Sequence, residues 1–134
     1  LGTFSPIMVE DLSKHKMESE QMMINSTAST IINNALVRRK KVCAVGTTVM
    51  RSLETTVSTK NMVIPYDGWT NIFIFPPYDF KIGSCMLTNF HLPKSSLMMQ
   101  VSAFSGYDLL MKAYKEAVKK KYKFHTFGDA MLII

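Results

Sequence analysis

The sequence predicts an α/β fold, a mostly parallel sheet whose strands alternate with helices. Two observations carry this. Short apolar or alternating runs of strand length are followed repeatedly by segments with helical spacing. One of those runs, Val42-Cys43-Ala44-Val45, is continuously apolar, the pattern of a strand buried on both faces, and it enters a Gly-Thr-Thr turn. With 134 residues and 47% apolar residues the chain suits one domain with a core of its own.

In chain order, residues 6–9 read as a short extended piece. The stretch VEDLSKHKM, acidic first and basic later, suits a short helix. SEQMMI reads as a strand. Asn25 or Ser26 caps a helix with Ala28, Ile31, Ile32, Ala35 and Leu36 on one face. The strand VCAV leads into a helix with Val49, Leu53 and Val57 along one side. Residues 58–69, with Pro65 and Asp67-Gly68, read as a loop. NIFIF is expected to be a strand stopped by Pro76-Pro77, and the run ending at Leu87 another. A helix from Ser95 to Phe104 ends at Gly106. A second, from about Asp108 to Lys121, buries Leu110, Ala113, Tyr114, Ala117 and Val118. The closing AMLII reads as a core strand, with a natural C-terminus. The opening LGTFSP has no initiator Met and is expected of a cut through a longer protein.

Composition excludes several classes. No apolar run approaches the ~18 residues of a membrane-spanning helix. No signal peptide is visible. Cys43 and Cys85 have no partners at metal spacing, so they are expected to be reduced, buried thiols of a cytoplasmic protein. A net charge of +6 favours an anionic partner.

In parallel α/β proteins, sites form where strands run into helices. Three such junctions are rich in chemistry. In AVGTTVMRSLE, Gly46 permits a sharp turn, and Thr47 and Thr48 open a helix whose free N–H groups can hold a carboxylate or phosphate. The same residues also make an ordinary N-cap, and Arg51 and Glu54 could simply pair along the helix. In LTNFHLPKSS, Asn89, His91 and Lys94 converge at a strand end, an arrangement able to move a proton and hold an anion. The alternative there is a capping Ser95, a half-buried His91 and a solvated Lys94. PPYDFK is the third. His15, Glu18 and Glu20 could form an acid–base cluster, but no further ligand stands at metal spacing, so no metal is expected. Two basic runs, Arg38-Arg39-Lys40-Lys41 and Lys119, Lys120, Lys121, Lys123, hold half of the positive charge. Both end helices, where cations are favoured anyway, and the second is interleaved with Tyr122 and Phe124 in a manner suited to RNA.

Together the segments GTFSP, VEDL, AVGTT..RSLE, GWTNIFIFPPYDFK, LTNFHLPKSSL, VSAFSGY and FGDAML, in this order, resemble the C-terminal part of the S-adenosylmethionine:tRNA ribosyltransferase-isomerase family of queuosine biosynthesis. The resemblance implies the last portion of a barrel-like α/β domain, without the N-terminal half and the inserted β-barrel domain. It implies transfer and isomerisation of the ribosyl moiety of S-adenosylmethionine onto 7-aminomethyl-7-deazaguanine at the tRNA wobble position, giving epoxyqueuosine, adenine and methionine. S-adenosylmethionine would be consumed as a substrate, with no cofactor. In that frame His91 is expected to transfer the proton, with Glu54 and His15 as further candidates. Gly46, Thr47, Thr48, Arg51, Asn89 and Lys94 are expected to grip the substrate, with Trp69 and Tyr78 as stacking surfaces. The two basic runs are expected to meet tRNA. Two positions depart from the family pattern: Glu18 stands where His is usual, and Arg39 and Lys40 stand where glycines are common. Sheet edges left uncovered by the missing half would favour self-association. The alternative function is a catalytically inactive fragment acting only as a nucleotide- or RNA-binding module.

Overall fold

The computed structural model describes Ile7, residues 11–125 and residues 128–134, with the side chain of residue 13 left out. Most of the expected extended piece at 6–9 and the start of the following helix lie outside the described residues. What is described of that helix is one 3-10 turn, Leu12–Lys14.

Five strands and four α-helices follow. Strand β1 (Glu20–Ile24) leads into α1 (Ser26–Val37), capped by Asn25, whose side chain accepts from Ala28 N. Strand β2 (Cys43–Val45) turns at Gly46 into α2 (Thr47–Thr55). Strands β3 (Tyr66–Thr70) and β4 (Cys85–Asn89) come next. Helix α3 (Ser96–Ser105) is capped by Ser95, and Gly106 joins it to α4 (Tyr107–Lys119). Strand β5 (Ala130–Ile133) comes last.

Among the described residues the strands form two sheets, β1-β3 and β2-β4-β5. Only β2 and β4 are parallel; β1-β3 and β4-β5 are antiparallel. The expectation of mostly parallel strands is therefore corrected to a mixed α/β arrangement, and no barrel closes among the described residues. The physical reason is connectivity. A parallel pair needs a crossover, which α2 and the segment after it supply between β2 and β4, while β5 returns beside β4 running the opposite way.

Three strand expectations change as well. The reading of 58–69 as a loop misses β3, in which Gly68 pairs with Met22 and Asp67 with Met23. NIFIF joins no ladder. The β1-β3 ladder ends at the Glu20–Thr70 pair, and the carbonyl of Ile72 is taken instead by Arg51 Nε at 3.2 Å. VCAV is not buried on both faces, because Ala44 is fully buried while Cys43 and Val45 are exposed. The helices cover one face of this sheet, so one of the two thiols expected to be buried is not. The core gathers Ala44 and Met86 from the sheet, Met50 and Leu53 from α2, Met98 and Val101 from α3, and Leu110 and Tyr114 from α4. Ile31, Val49 and Val118, expected on buried helix faces, are exposed.

Polar ties fix the remaining elements. On α1, Ser29 Oγ and Asn33 Nδ2 donate to the carbonyl of Val63 at 2.7 and 2.8 Å, and Asn33 Oδ1 accepts from its N–H. Gln100 of α3, almost fully buried, donates to the carbonyl of Thr47 at 2.9 Å and locks α3 to the start of α2.

Candidate active site at the ends of the parallel strands

Because β2 and β4 run parallel, their carboxyl ends lie side by side. Two of the three junctions singled out in the sequence therefore meet. Gly46 N–H donates to the carbonyl of Leu87 at 2.8 Å, tying the Gly-Thr-Thr turn directly to the strand that carries Asn89 and His91. Gly46 has φ +99° and ψ 146°, a backbone that favours glycine, and it makes no side-chain cap. Among the described residues no side chain caps the first amides of α2, at Thr47 and Thr48, where the helix starts from the end of β2. Thr47 is buried and Thr48 exposed.

On the adjacent strand end, His91 is half-buried. Its Nε2 lies 2.8 Å from Thr88 Oγ1, and its backbone N–H donates to Tyr114 Oη at 2.8 Å. Burial, and then the neighbouring His125, push the His91 pKa down to about 4, so the ring is neutral at pH 7. The hydrogen bond from His91 works against the stronger effect of burial on Tyr114, whose pKa is raised. Asn89 Nδ2 donates to the carbonyl of Asp129 at 3.2 Å, fastening β4 to the segment before β5. Pro93 and Lys94 carry the chain to Ser95, which caps α3 by accepting from Met98 N at 3.2 Å. Lys94 is exposed and has φ +59°. A pocket of about 280 Å³ opens here, lined by His91, Lys94, Ser95, Leu97 and His125 among others. His125 was not singled out in the sequence. A lone histidine after a lysine run carries no local signal, and it reaches the pocket because its N–H donates to the carbonyl of Phe90 at 3.0 Å.

The other sequence-predicted residues lie elsewhere. Arg51, 3% exposed, pairs with Glu20 at 3.0 Å, and its Nη2 is buried without a partner among the described residues. It does not pair with Glu54. His15 packs on Phe73 with ring centroids 4.8 Å apart, and its Nε2 is likewise buried and unpartnered among the described residues. The Arg51 bond to Ile72 puts these two residues on neighbouring parts of one segment. Glu54 accepts from the amides of Lys81, Ile82 and Gly83 at 3.0, 3.0 and 3.3 Å. Those amides precede β4, so Glu54 stands at the opposite end of the sheet from His91. Tyr78, beside them, has its pKa pushed up to about 12 by burial and by the charges of Glu54 and Asp79. Its ring packs edge-on against Phe80 at 4.8 Å. Trp69 is 62% exposed on β3. Glu18 is exposed, and no cluster of His, Cys, Asp or Glu suited to a metal occurs among the described residues.

The two basic runs also separate. Residues 38–41 are exposed before β2, at the amino ends of the parallel strands. The 119–123 run starts at the last residue of α4, and the chain from there wraps over Phe90, whose ring meets Tyr122 at 5.7 Å and Phe124 at 5.2 Å.

Comparison with known proteins shows the family. A family model described as "Queuosine biosynthesis protein" matches residues 1–133. The chain is 60% identical over its whole length to the S-adenosylmethionine:tRNA ribosyltransferase-isomerase of Flavobacterium psychrophilum, covering 38% of that protein. It is 59% identical to the enzyme of the same name from Phocaeicola vulgatus, with the same coverage. The crystal structure of S-adenosylmethionine tRNA ribosyltransferase from Thermotoga maritima superposes with a TM-score of 0.79 at 44% identity, over 84% of this chain and 39% of that one. The chain thus spans well under half the length of the relatives it matches.

Proposed function

Since the chain belongs to the queuosine biosynthesis protein family, we propose that it supplies part of the active site of a tRNA ribosyltransferase-isomerase. Its substrates are S-adenosylmethionine and tRNA bearing 7-aminomethyl-7-deazaguanine, and its products are epoxyqueuosine in the tRNA, adenine and methionine. The observation that carries this reading is the Gly46–Leu87 hydrogen bond, which brings the Gly-Thr-Thr helix start and His91 to one strand-end edge.

The chemistry needs a proton acceptor near the ribose C5′, because the adjacent sulfonium acidifies those hydrogens. Loss of one opens the ring and releases adenine; the aminomethyl nitrogen attacks, and an alkoxide displaces methionine to close the epoxide. A neutral imidazole suits the first task. Thr88 sits on Nε2 of His91, so Nδ1 is the nitrogen available to a reactant. The uncapped amides of Thr47 and Thr48 suit the carboxylate of the methionine end. Arg51 and Glu54 act at a distance from this edge. Arg51 holds β1 and the segment at Ile72, while Glu54 holds the turn that launches β4.

Adenine release tests the reading. The chain and a full-length relative are each incubated with S-adenosylmethionine and the modified tRNA. Adenine from the relative that disappears in a variant matching His91→Ala, with the fold intact, supports the assignment. Undiminished release from that variant refutes it. Release from the 134-residue chain itself would place the whole catalytic apparatus within these residues.

A further inference from the structure

The two lysine- and arginine-rich runs look equivalent in the sequence but stand at opposite ends of β4. From Cys85, beside the 38–41 run, to His91 is six residues of nearly extended chain, on the order of 20 Å at ~3.3 Å per residue. The 119–123 run is instead bonded and stacked onto the His91 end. Tyr122 and Phe124 flank Phe90, and His125 donates to the Phe90 carbonyl.

Among the described residues, left-handed backbone occurs at Lys94, Lys121 and His125 (φ +59°, +59° and +67°) and equally at Arg39 and Asn61 (φ +53° and +55°), and at Arg39 and Lys121 it is the ordinary turn that ends a helix. Lys94 and His125, basic residues from two separate segments, line one pocket beside His91. That pocket has no carboxylate among its described lining residues. The nearby acid Asp129 is engaged, its Oδ2 accepting from Lys123 N–H at 2.8 Å. Lys119 is partly balanced by Glu116 at 3.8 Å, so the positive face is densest from Lys120 onward.

We propose that the phosphodiester backbone of the RNA substrate crosses the strand-end face along Lys121, Lys123, His125 and Lys94. One phosphate sits between His125 and Lys94 at the mouth of the His91 pocket, and the 38–41 run takes no part. The inference rests on the tRNA-modifying reading and adds the side on which the RNA lies. A phosphate there would also set the wobble nucleotide beside His91, and its negative charge would make that imidazole a stronger base.

The test measures binding of an anticodon stem-loop RNA to the 134-residue chain over a series of salt concentrations. Two pairs of substitutions are compared, Lys121→Asn with Lys123→Gln, and Arg39→Asn with Lys40→Gln. Asn is chosen at positions 121 and 39 because it tolerates a left-handed backbone, and circular dichroism confirms the fold of each. Losing two phosphate contacts should weaken binding at least tenfold at moderate salt and lower the salt slope by about two. The 39/40 pair should change affinity less than twofold. Equal losses from both pairs, or a larger loss from the 39/40 pair, overturn the proposal. So does a polyglutamate peptide that binds as tightly as the RNA and responds to the same substitutions. Titration with inorganic phosphate, followed through the His91 and His125 ring signals by NMR, should shift both; unmoved signals remove the phosphate seat. Adenine release from a full-length relative separates the two readings. Adenine formed normally by a variant lacking the lysines matching 121 and 123 defeats the surface and leaves the reaction. Salt-dependent RNA binding through those lysines with no adenine from the unaltered relative defeats the reaction and leaves the surface.

Discussion

Arg51 and Glu20 form a buried ion pair, 3.0 Å apart with side chains 4% and 13% exposed, linking α2 to the first strand. Arg51 Nε also holds the Ile72 carbonyl, so one guanidinium ties three segments. Removing Arg51 takes from the largely buried Glu20 carboxylate the guanidinium that faces it. Arg51→Met should therefore destabilise the fold by about 3–5 kcal/mol. Glu20→Gln in the Arg51→Met background should cost less than it does alone. Urea denaturation of the two single variants and the double variant reads both effects, and strict additivity would disprove the coupling.

Gly46 provides a cleaner backbone test. A Cβ at this position would meet nothing within 4 Å, yet φ is +99°. Gly46→Ala should therefore cost about 1–3 kcal/mol from conformation alone, with no clash. The Leu87 hydrogen bond uses the backbone and survives the substitution. An unchanged urea midpoint would show that the turn relaxes freely.

Gly83 is the opposite case. Its added Cβ would collide with Met50 Sδ, in the core. Overpacking of this kind costs about 1–3 kcal/mol. Gly83→Ala should be destabilising in the parent chain and cost less in a Met50→Ala background, where the obstructing sulfur is gone. An equal cost in both backgrounds, measured by thermal melting, would place the strain elsewhere.

The depressed pKa of His91 makes stability depend on acid. The unfolded ring titrates near 6.5 and the folded one at about 4, so between those values the unfolded chain binds more protons. The His91 contribution is full above pH 6.5 and is lost as pH falls toward 4. Urea midpoints at pH 7, 5.5 and 4.5 should fall more steeply for the parent than for His91→Gln. Parallel curves would remove the shift.

Legibility in the sequence followed locality. The four helices and the caps at Asn25 and Ser95 could be read because spacing and capping act within a few residues. The junctions at Gly46 and His91 were visible for the same reason, since strand-to-helix turns need particular residues. Strand direction was not visible. Nothing near Ala130 states that it will face Asn89 and run against it. Strand β3 was missed because Pro65 and Asp67-Gly68 signal a turn, while its pairing with β1 is long-range. The partners of Arg51 and Glu54 escaped notice too. Both residues point away from each other, toward Glu20 and toward the amides before β4, contacts fixed only when distant segments meet.

The placing of β5 beside β4 bears on how the chain emerges from the ribosome. Asn89 and its partner Ala130 are 41 residues apart. At ~5–20 residues per second, β4 is made roughly 2–8 s before the strand that completes its second edge. During that interval β2 and β4 can pair and α2 can dock, but the far side of β4 presents open amides and carbonyls. This is the window in which a holding chaperone would bind, and in which a crowded polysome would favour strand exchange between neighbouring nascent chains.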